Sequence, residues 1–318
     1  MIVKINNMKR VYVITPTWNN ADYTIRCFDS VAKNTDNYKI IWIDNGSEKE
    51  EKEKVQKFLE INKIPHVAMI NDENLGFVKG TNQGMNLAIK DGVDFVVLLN
   101  NDTEVFDGWL ERMILVFDKN EKIGIVGSLA SPSHGWQDIN NLKIKRPDEF
   151  GDLPDYNNNP EKYAEIIKEK YNKQSIEVYP NVAFFCTLIK KDVLKKIGVL
   201  SEDFGLGFGD DDDYCSRALD VGYKIYLAKD VFIFHNHRTT FKKHFSQEQI
   251  KEMGRKNQEI LKNKHERYRD LIDRKPKNIN DFFMILNKIK KEDGFMECVR
   301  FFFRYMKYRI FKKDKSWL

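Results

Sequence analysis

One stretch of the sequence defines the type of fold, Phe95-Val96-Val97-Leu98-Leu99-Asn100-Asn101-Asp102-Thr103. Its first five residues are all apolar, which is typical of a strand buried on both faces. Strands of this kind occur in parallel sheets that carry helices on both sides. The residues after Leu99 are polar, so the strand ends abruptly in amide, carboxylate and hydroxyl groups that are able to hold a ligand.

Other apolar runs predict further strands, and helical patterns separate them. The predicted strands cover residues 11–14, 38–43, 67–70, 95–99, 123–128, 182–189, 223–227 and 231–234. The predicted helices cover residues 21–33, 48–62, 79–90, 109–117, 160–172, 191–197 and 213–221. This alternation predicts an α/β fold with a mostly parallel, doubly wound sheet. Residues 131–180 read as a largely loop-like insertion beside the sheet, and such insertions are usually lids or binding loops.

Polar residues follow four of these strands at the point where the chain leaves the sheet. They are Thr15, Asp44, Asn71-Asp72 and Asn100 to Asp102. Taken singly, each of these groups is more often a turn residue or a helix cap than part of a site. Because the carboxyl ends of parallel strands meet at one edge, where ligands bind in open α/β sheets, the four together favour a shared ligand site.

A run of four carboxylates, Asp210 to Asp213, follows the glycine-rich stretch Gly205-Leu206-Gly207-Phe208-Gly209. An isolated acidic run of this kind is about as often a solvated turn as it is part of a functional site. Here the glycines allow a ligand to approach closely, and the predicted strand at residues 231–234 leads into His235-Asn236-His237. Carboxylates and histidines at the ends of elements are typical of a metal-assisted or acid–base site.

Several classes of protein are disfavoured. The first strand is not followed by Gly-x-Gly-x-x-Gly, and no Walker motif is present, which argues against a dinucleotide-binding domain or a P-loop NTPase. No apolar signal segment and no run of 18 apolar residues is found, so we expect a cytoplasmic protein without a spanning helix. The four cysteines lack metal-type spacing and are expected to be reduced core thiols: Cys27, Cys186, Cys215 and Cys298.

The C-terminal quarter differs from the rest of the chain in charge. Residues 242–318 carry 22 Lys and Arg against 11 Asp and Glu, a net charge of +11, whereas the whole chain carries +5. We predict a basic, aromatic helical region over residues 246–318 that packs on the main domain or pairs two subunits. Peripheral contact with an anionic inner membrane face or with an acidic partner is the alternative. No nucleic-acid partner is expected.

Motifs spread over residues 10–245 resemble those of family 2 glycosyltransferases, which have the GT-A fold. They are Thr15-Pro16-Thr17-Trp18-Asn19, Ile43-Asp44-Asn45-Gly46-Ser47, Asn74-Leu75-Gly76-Phe77, Gly80-Thr81-Asn82-Gln83-Gly84, Leu98 to Thr103, Phe204 to Arg217 and Phe232 to Thr240. They occur in the same order as in the family. The resemblance implies a GT-A glycosyltransferase domain at residues 1–245, in which the insertion at residues 131–180 acts as a lid or acceptor-binding element.

The resemblance also implies which residues bind a nucleotide-sugar donor. Asp44 would hold the nucleotide base or ribose, and Thr15 and Thr17 would line the same nucleoside pocket. Asn82 and Asn100 would contact the donor as well. Asn100 stands where the family usually has the first Asp of its Asp-x-Asp metal motif, and this departure removes one negative charge from the metal site.

A divalent metal and a general base are implied in the same way. Asp102 matches the last carboxylate of the metal motif, and His235 matches the histidine that completes the site, with His237 as a rival. A carboxylate oxygen and an imidazole nitrogen suit Mn²⁺ or Mg²⁺. Asp211 matches the general base, and Asp210 replaces the Glu that usually precedes it.

These assignments predict an inverting hexosyl- or N-acetylhexosaminyltransferase, since one base without a second catalytic carboxylate suggests direct displacement. A UDP-sugar is the favoured donor, with dTDP-rhamnose open as well. The acceptor hydroxyl would belong to a glycan, a lipid-linked sugar or a protein Ser or Thr. One alternative is a nucleotidyltransferase. Such an enzyme is expected to have a Gly-rich, basic phosphate loop after the first strand, and Pro16-Thr17-Trp18-Asn19 is not such a loop. The other is a nucleotide-sugar-binding protein that has lost catalysis, towards which only Asn100 points.

Overall fold

The computed structural model describes residues 9–131, 133, 136–236 and 246–265. Within these ranges nine strands form one sheet. The strands are β1 Val11–Thr17, β2 Tyr38–Asn45, β3 His66–Asn71, β4 Phe95–Leu99, β5 Thr103–Glu104, β6 Ile123–Ser131, β7 Ser175–Val178, β8 Cys186–Lys190 and β9 Lys224–His235. Each predicted strand coincides at least in part with an observed one, but the predictions at residues 223–227 and 231–234 both fall within β9, and β5 and β7 are additional.

The helices lie between these strands and after β9. They are α1 Ala21–Asn34, α2 Lys49–Ile61, α3 Gly76–Asp91, α4 Trp109–Val116, α5 Ile139–Lys145, α6 Pro147–Phe150, α7 Pro160–Lys170, α8 Lys191–Ile197, α9 Asp210–Asp220 and α10 Gln247–Lys264. The chain divides into two compact units, Met1–Gln258 and Glu259–Leu318. The domain boundary after residue 245 stays a prediction, and the helices predicted at residues 282–289 and 295–311 lie outside the described residues.

The order of strands in the sheet is β3-β2-β1-β4-β8-β6-β9-β5, and β7 also pairs with β9. Strands β3, β2, β1 and β4 run parallel, as do β6 and β9. Strand β8 runs antiparallel to both of its neighbours, and β5 and β7 run antiparallel to β9. The predicted α/β fold is confirmed, and the sheet is mixed because antiparallel strands join its two parallel sections.

Both faces of the parallel section are covered, as the unbroken apolar runs require. On one face Val13 and Trp42 of the sheet and Phe28 of α1 belong to a single buried cluster. On the other face α3 packs so closely that a Cβ added at Gly84 would lie 2.6 Å from Ile14 Cγ2. This close packing fixes α3 over the strand ends that carry the polar residues.

Strand β9 corrects the prediction of two strands at residues 223–227 and 231–234. The charged pair Lys229-Asp230 falls between the two predicted strands, yet both residues lie inside one continuous strand and are buried. Lys229 Nζ contacts a carboxylate oxygen of Glu149 and lies 3.0 Å from Gln174 Oε1, and Lys173 N donates to an Asp230 carboxylate oxygen at 2.8 Å. The partners are supplied by distant segments, which is why local sequence could not reveal them.

The insertion contains more regular secondary structure than the sequence indicated. Besides the predicted helix near residues 160–172, residues 131–180 contain α5, α6 and β7. Strand β7 adds to the sheet by pairing with β9 over Val178↔Ile225 to Ser175↔Ala228. Among the helices in the described part of the chain, none combines the length and apolar character needed to cross a membrane.

Candidate active site

The short strand β5 brings together two side chains that are far apart in the chain. Its residue Thr103 pairs with His235 at the end of β9, and Asn236 N donates to Asp102 O at 2.8 Å. This pairing leaves Asp102 Oδ1 3.2 Å from His235 Nε2. The two side chains are only 12% and 7% exposed. A carboxylate and an imidazole thus share one buried position beside the carboxyl end of β4.

The surrounding residues fix the orientation of this pair. The His235 ring stacks on Phe185, with the ring centroids 5.0 Å apart and the planes at 22°. Asn100 N donates to Phe185 O at 2.8 Å, so the same residue also holds the loop that carries Asp102. Thr103 Oγ1 donates to Asn100 O at 2.7 Å and closes that loop. Contacts with Phe185 and Thr103 therefore fix the His235 ring and the loop that carries Asp102.

The donor set fits a hard divalent cation. Two neighbouring ligands, each about 2.1 Å from one metal, lie roughly 3 Å apart in octahedral geometry, and the observed Oδ1–Nε2 separation is 3.2 Å. Among the described residues, no group of three or more His, Cys, Asp and Glu could hold a metal ion. An ion bound by Asp102 and His235 would need further oxygens from phosphates and water, which is how Mg²⁺ is commonly held at phosphate sites. His237, the rival ligand, lies outside the described residues.

The predicted nucleoside pocket lies at the ends of β1 and β2. Thr17 and Asp44 are paired in register, and Asp44 is buried, with its Oδ1 accepting from Ser47 N at 2.9 Å. The Thr17 hydroxyl accepts from Trp42 Nε1 at 2.8 Å and donates to Ile43 O at 3.3 Å, which ties it into the packing of the two strands. Within the described ranges the buried Thr15 Oγ1 has no hydrogen-bond partner.

Asn82 joins the start of α3 to the segment before the acidic helix. Its Nδ2 donates to Leu200 O at 2.9 Å, and its Oδ1 accepts from Leu200 N at 2.9 Å. Nearby, a Cβ at Gly76 would lie 3.1 Å from Leu206 Cδ2 and 3.2 Å from Gly205 O. These contacts bring the glycine-rich stretch onto the edge of the sheet that carries Asp44. A contact of Asn82 with the donor stays a prediction, since the structure shows its amide engaged by Leu200.

The acidic run forms the first turn of α9. The sequence placed the start of this helix at Asp213, and that prediction was wrong by one turn, because α9 begins at Asp210. Gly209 precedes it with φ 97°, a left-handed conformation that glycine adopts without strain. Carboxylates are stabilised at a helix N-terminus by its dipole and unpaired N–H groups, which offsets their mutual repulsion.

The four carboxylates have different surroundings. Asp213 is fully buried and accepts from Arg217 Nε at 2.8 Å. Arg217 also donates to Ile197 O at 2.6 Å and to Val199 O at 2.9 Å, so this ion pair holds the segment before the acidic run. An Asp212 carboxylate oxygen accepts from Asn181 Nδ2. Asp213 and Asp212 are therefore committed to structural contacts, which leaves Asp210 and Asp211 as candidates for proton transfer.

Both of these carboxyl groups hold protons more strongly than usual. Burial raises the pKa of Asp210 to about 7, and the charges of Asp212 and Asp213 add to the effect. Burial likewise raises the pKa of Asp211 well above its usual value, with Asp212 and Asp210 as further causes. Asp210 is 5% exposed, whereas Asp211 is half-buried. Asp211 is thus the more accessible of two carboxyl groups whose pKa values are raised by burial and by neighbouring carboxylates.

Asn257 is a site residue that sequence reasoning missed. Its Nδ2 lies 2.7 Å from Gly207 O, 2.9 Å from Phe208 O and 3.4 Å from Phe204 O. Phe208 has φ +70°, an unfavourable conformation for a residue with a side chain. No local signal marks an asparagine in the middle of a polar helix, and only its buried position reveals that it holds the glycine-rich stretch.

Asn257→Ala should loosen that stretch without unfolding the sheet. Losing hydrogen bonds of about 1 kcal/mol each should speed amide exchange at residues 204–209 by roughly 10-fold or more. The exposed neighbour Gln258→Ala serves as the matched control and should leave exchange unchanged. Equal exchange in the two variants, measured by mass spectrometry, would contradict this role for Asn257.

The mixed sheet, with helices covering its parallel section, has the GT-A fold. The family model described as "Glycosyl transferase family 2" matches residues 12–198, and the chain belongs to that family. Glycosyltransferase AglE of Haloferax volcanii is 24% identical over 237 residues, which cover 71% of this chain and 66% of AglE. The uncharacterized protein Rv1525 of Mycobacterium tuberculosis is 26% identical over 175 residues, covering 54% of this chain and 58% of that protein. The matched part of the chain thus spans less than two thirds of either relative.

Solved structures share the fold at low sequence identity. The mannosyltransferase PcManGT from Pyrobaculum calidifontis, solved with GDP-Man and Mn²⁺, has a TM-score of 0.53 at 15% identity and covers 96% of this chain and 81% of its own. GalNAc-T7, solved with UDP, GalNAc and Mn²⁺, has a TM-score of 0.55 at 15% identity, covering 74% of this chain and 45% of its own. TarS 1–349 from S. aureus, solved with UDP-GlcNAc, has a TM-score of 0.53 at 16% identity, covering 79% and 66%.

Proposed function

We propose that this protein transfers a sugar from a nucleotide-sugar donor to an acceptor hydroxyl, with inversion at the anomeric carbon. The proposal rests mainly on the 3.2 Å contact between Asp102 Oδ1 and His235 Nε2, two buried ligands of the type that a metal–diphosphate complex requires. Family membership supports the reaction class. It is also supported by the Mn²⁺ in the structures of PcManGT and GalNAc-T7, which have the same fold.

On the donor side, Asp102 and His235 would hold Mn²⁺ or Mg²⁺. Such an ion, when bound, neutralises the negative charge that develops on the leaving diphosphate. Asp44, buried at the end of β2, would accept hydrogen bonds from the nucleotide base or ribose. We favour a UDP-sugar, in line with the UDP in GalNAc-T7 and the UDP-GlcNAc in TarS, although PcManGT was solved with GDP-Man.

On the acceptor side, Asp211 would act as general base. The acceptor oxygen forms a bond to the anomeric carbon while the bond from that carbon to the diphosphate oxygen breaks, and its electron pair leaves with the nucleoside diphosphate. Asp211 takes the proton of the acceptor hydroxyl as its oxygen attacks. One attack from the side opposite the leaving group inverts the anomeric configuration. The raised pKa of Asp211 favours proton uptake over permanent ionisation.

A donor panel tests this function. UDP-, GDP- and dTDP-sugars are incubated with the protein and Mn²⁺, and the release of nucleoside diphosphate is measured with and without EDTA. We expect slow hydrolysis of at least one donor, lost on chelation. Binding of a donor without any release would favour a protein that has lost catalysis. In a separate incubation with a nucleoside triphosphate and a sugar phosphate, the release of pyrophosphate would identify a nucleotidyltransferase.

A further inference from the structure

Two aromatic side chains lie exposed on the surface close to the acidic helix. Trp136 is 40% exposed and Tyr179 is 37% exposed, values that are high for rings of this size. Trp136 Nε1 donates to Tyr179 O at 3.3 Å, which joins the two residues although they belong to different segments of the insertion. This contact places the Trp136 side chain against the backbone of Tyr179.

Hydrogen bonds connect this aromatic pair to the proposed base. Two residues after Tyr179, Asn181 Nδ2 donates to an Asp212 carboxylate oxygen, and Asp212 N donates to Asp211 Oδ1 at 2.9 Å. Next to Trp136, Gln137 Nε2 donates to Ala183 O at 3.3 Å, and Gln137 Oε1 accepts from Ala183 N. Trp136 and its neighbour Gln137 are therefore hydrogen-bonded to residues 179–183, the short segment that carries Tyr179 and contacts the acidic turn.

We propose that Trp136 and Tyr179 form a stacking surface for a sugar ring of the acceptor. This rests on the proposed function, and it makes the acceptor a glycan or a lipid-linked sugar in preference to a peptide Ser or Thr. A pyranose ring presents a face of C–H bonds, which carry partial positive charge and pack on the negatively polarised face of an aromatic ring. Its hydroxyl groups stay at the edge, where the nearby carboxylates accept hydrogen bonds.

The charge around the pair agrees with a neutral, hydroxyl-rich ligand. Along the chain and hydrogen bonds that lead from Tyr179 to the acidic turn lie the Asn181 amide and the carboxylates of Asp212 and Asp211. These groups accept hydrogen bonds from hydroxyls and disfavour anionic ligands. Phe208, 42% exposed and two residues before Asp210, adds a further aromatic surface on the other chain segment that leads into this turn. Sugar sites combine apolar faces with polar edges in this way.

The test uses the full chain with soluble acceptors, namely maltotriose, chitotriose and a Ser/Thr-rich peptide. Trp136→Ala and Tyr179→Ala should each raise the KM for the effective oligosaccharide about 10-fold, which is the usual scale for losing an aromatic contact, with a smaller change in kcat. The KM for the donor should stay unchanged. Trp136→Phe keeps a ring but loses the hydrogen bond to Tyr179 O, and it should restore most of the acceptor affinity. The control Ile89→Ala removes a large apolar side chain that is 37% exposed on α3, away from the acidic turn.

The outcomes separate this inference from the proposed function. Quenching of Trp136 fluorescence by the oligosaccharides, measured without donor as the difference between wild type and Trp136→Phe, reports binding even if no donor is turned over. A wild type that binds oligosaccharide but hydrolyses no donor would overturn the proposed function alone. Unchanged acceptor KM in Trp136→Ala and Tyr179→Ala, or glycosylation of the peptide alone, would overturn the stacking surface. A Trp136→Phe variant as defective as Trp136→Ala would assign the effect to the hydrogen bond and would also contradict stacking.

Discussion

Asp211→Asn is expected to lower kcat at least about 100-fold, the usual scale for loss of a general base, while the affinity for donor is retained. The amide has nearly the shape of the carboxylate but cannot take the proton from the acceptor hydroxyl. It should still accept the hydrogen bond from Asp212 N, now at 2.9 Å, so the first turn of α9 should persist. Steady-state kinetics with the donor and acceptor that the two panels identify, together with donor titrations, measure the two effects separately.

The pH dependence of kcat/KM gives a second test of the role of Asp211. Burial raises the pKa of Asp211, so the carboxylate form needed for catalysis is lost as the pH falls through that raised value. We therefore expect kcat/KM of the wild type to rise with pH across this pKa, and Asp211→Asn to lose that rise. Asp220→Asn, at the exposed end of α9, is the control and should behave as wild type. Near-normal turnover by Asp211→Asn would assign the role of general base to Asp210, because the Asp213 carboxylate is engaged by Arg217.

Removal of either proposed metal ligand, Asp102 or His235, should have the second large effect. Asp102→Ala and His235→Ala are each expected to weaken Mn²⁺-dependent binding of nucleoside diphosphate at least about 10-fold, since even outer-shell changes at metal sites cost 10- to 100-fold. Calorimetric titration of UDP and GDP in the presence of Mn²⁺ measures this loss. EDTA should reduce the wild type to the level of the two variants.

Matched controls remove residues of the same types elsewhere in the chain. Glu53→Ala removes an exposed carboxylate on α2, and His66→Ala removes a half-buried imidazole at the start of β3. Both variants should bind metal and nucleotide like the wild type. Full transferase activity in EDTA would refute the metal assignment. If His235→Ala has no effect but His237→Ala does, the ligand is the second of the two histidines.

The parts of the fold predicted from sequence are those determined by local pattern. Unbroken apolar runs such as Phe95–Leu99 are buried on both faces, and the polar groups that follow them meet at one edge. Strand β9 was predicted as two strands because the charged Lys229 and Asp230 interrupt its apolar pattern, and their partners come from the distant insertion. The two-residue strand β5 carries no pattern at all, although it brings Asp102 to His235.

For the candidate site, the motifs indicated which residue types lie close together but not the contacts that hold them. Asp102 and His235, which the resemblance placed at one metal site, lie together in the structure, and their role as metal ligands stays a prediction. The Thr17 hydroxyl and the Asn82 amide, both expected at the donor, make hydrogen bonds to Trp42 and Leu200 that no spacing rule could indicate. Asn257 was missed for the same reason, because its contacts with the glycine-rich stretch depend on how a distant helix packs.

The most direct measurement is the position of Mn²⁺ in a crystal of the full chain grown or soaked with MnCl₂ and UDP, located by anomalous X-ray scattering. We propose that Asp102 and His235 together hold the ion that binds the donor diphosphate. We therefore expect an anomalous peak within about 2.3 Å of both an Asp102 carboxylate oxygen and His235 Nε2, with diphosphate oxygens completing the coordination. Ordered UDP with no such peak, or with Mn²⁺ bound by other residues, would contradict the claim.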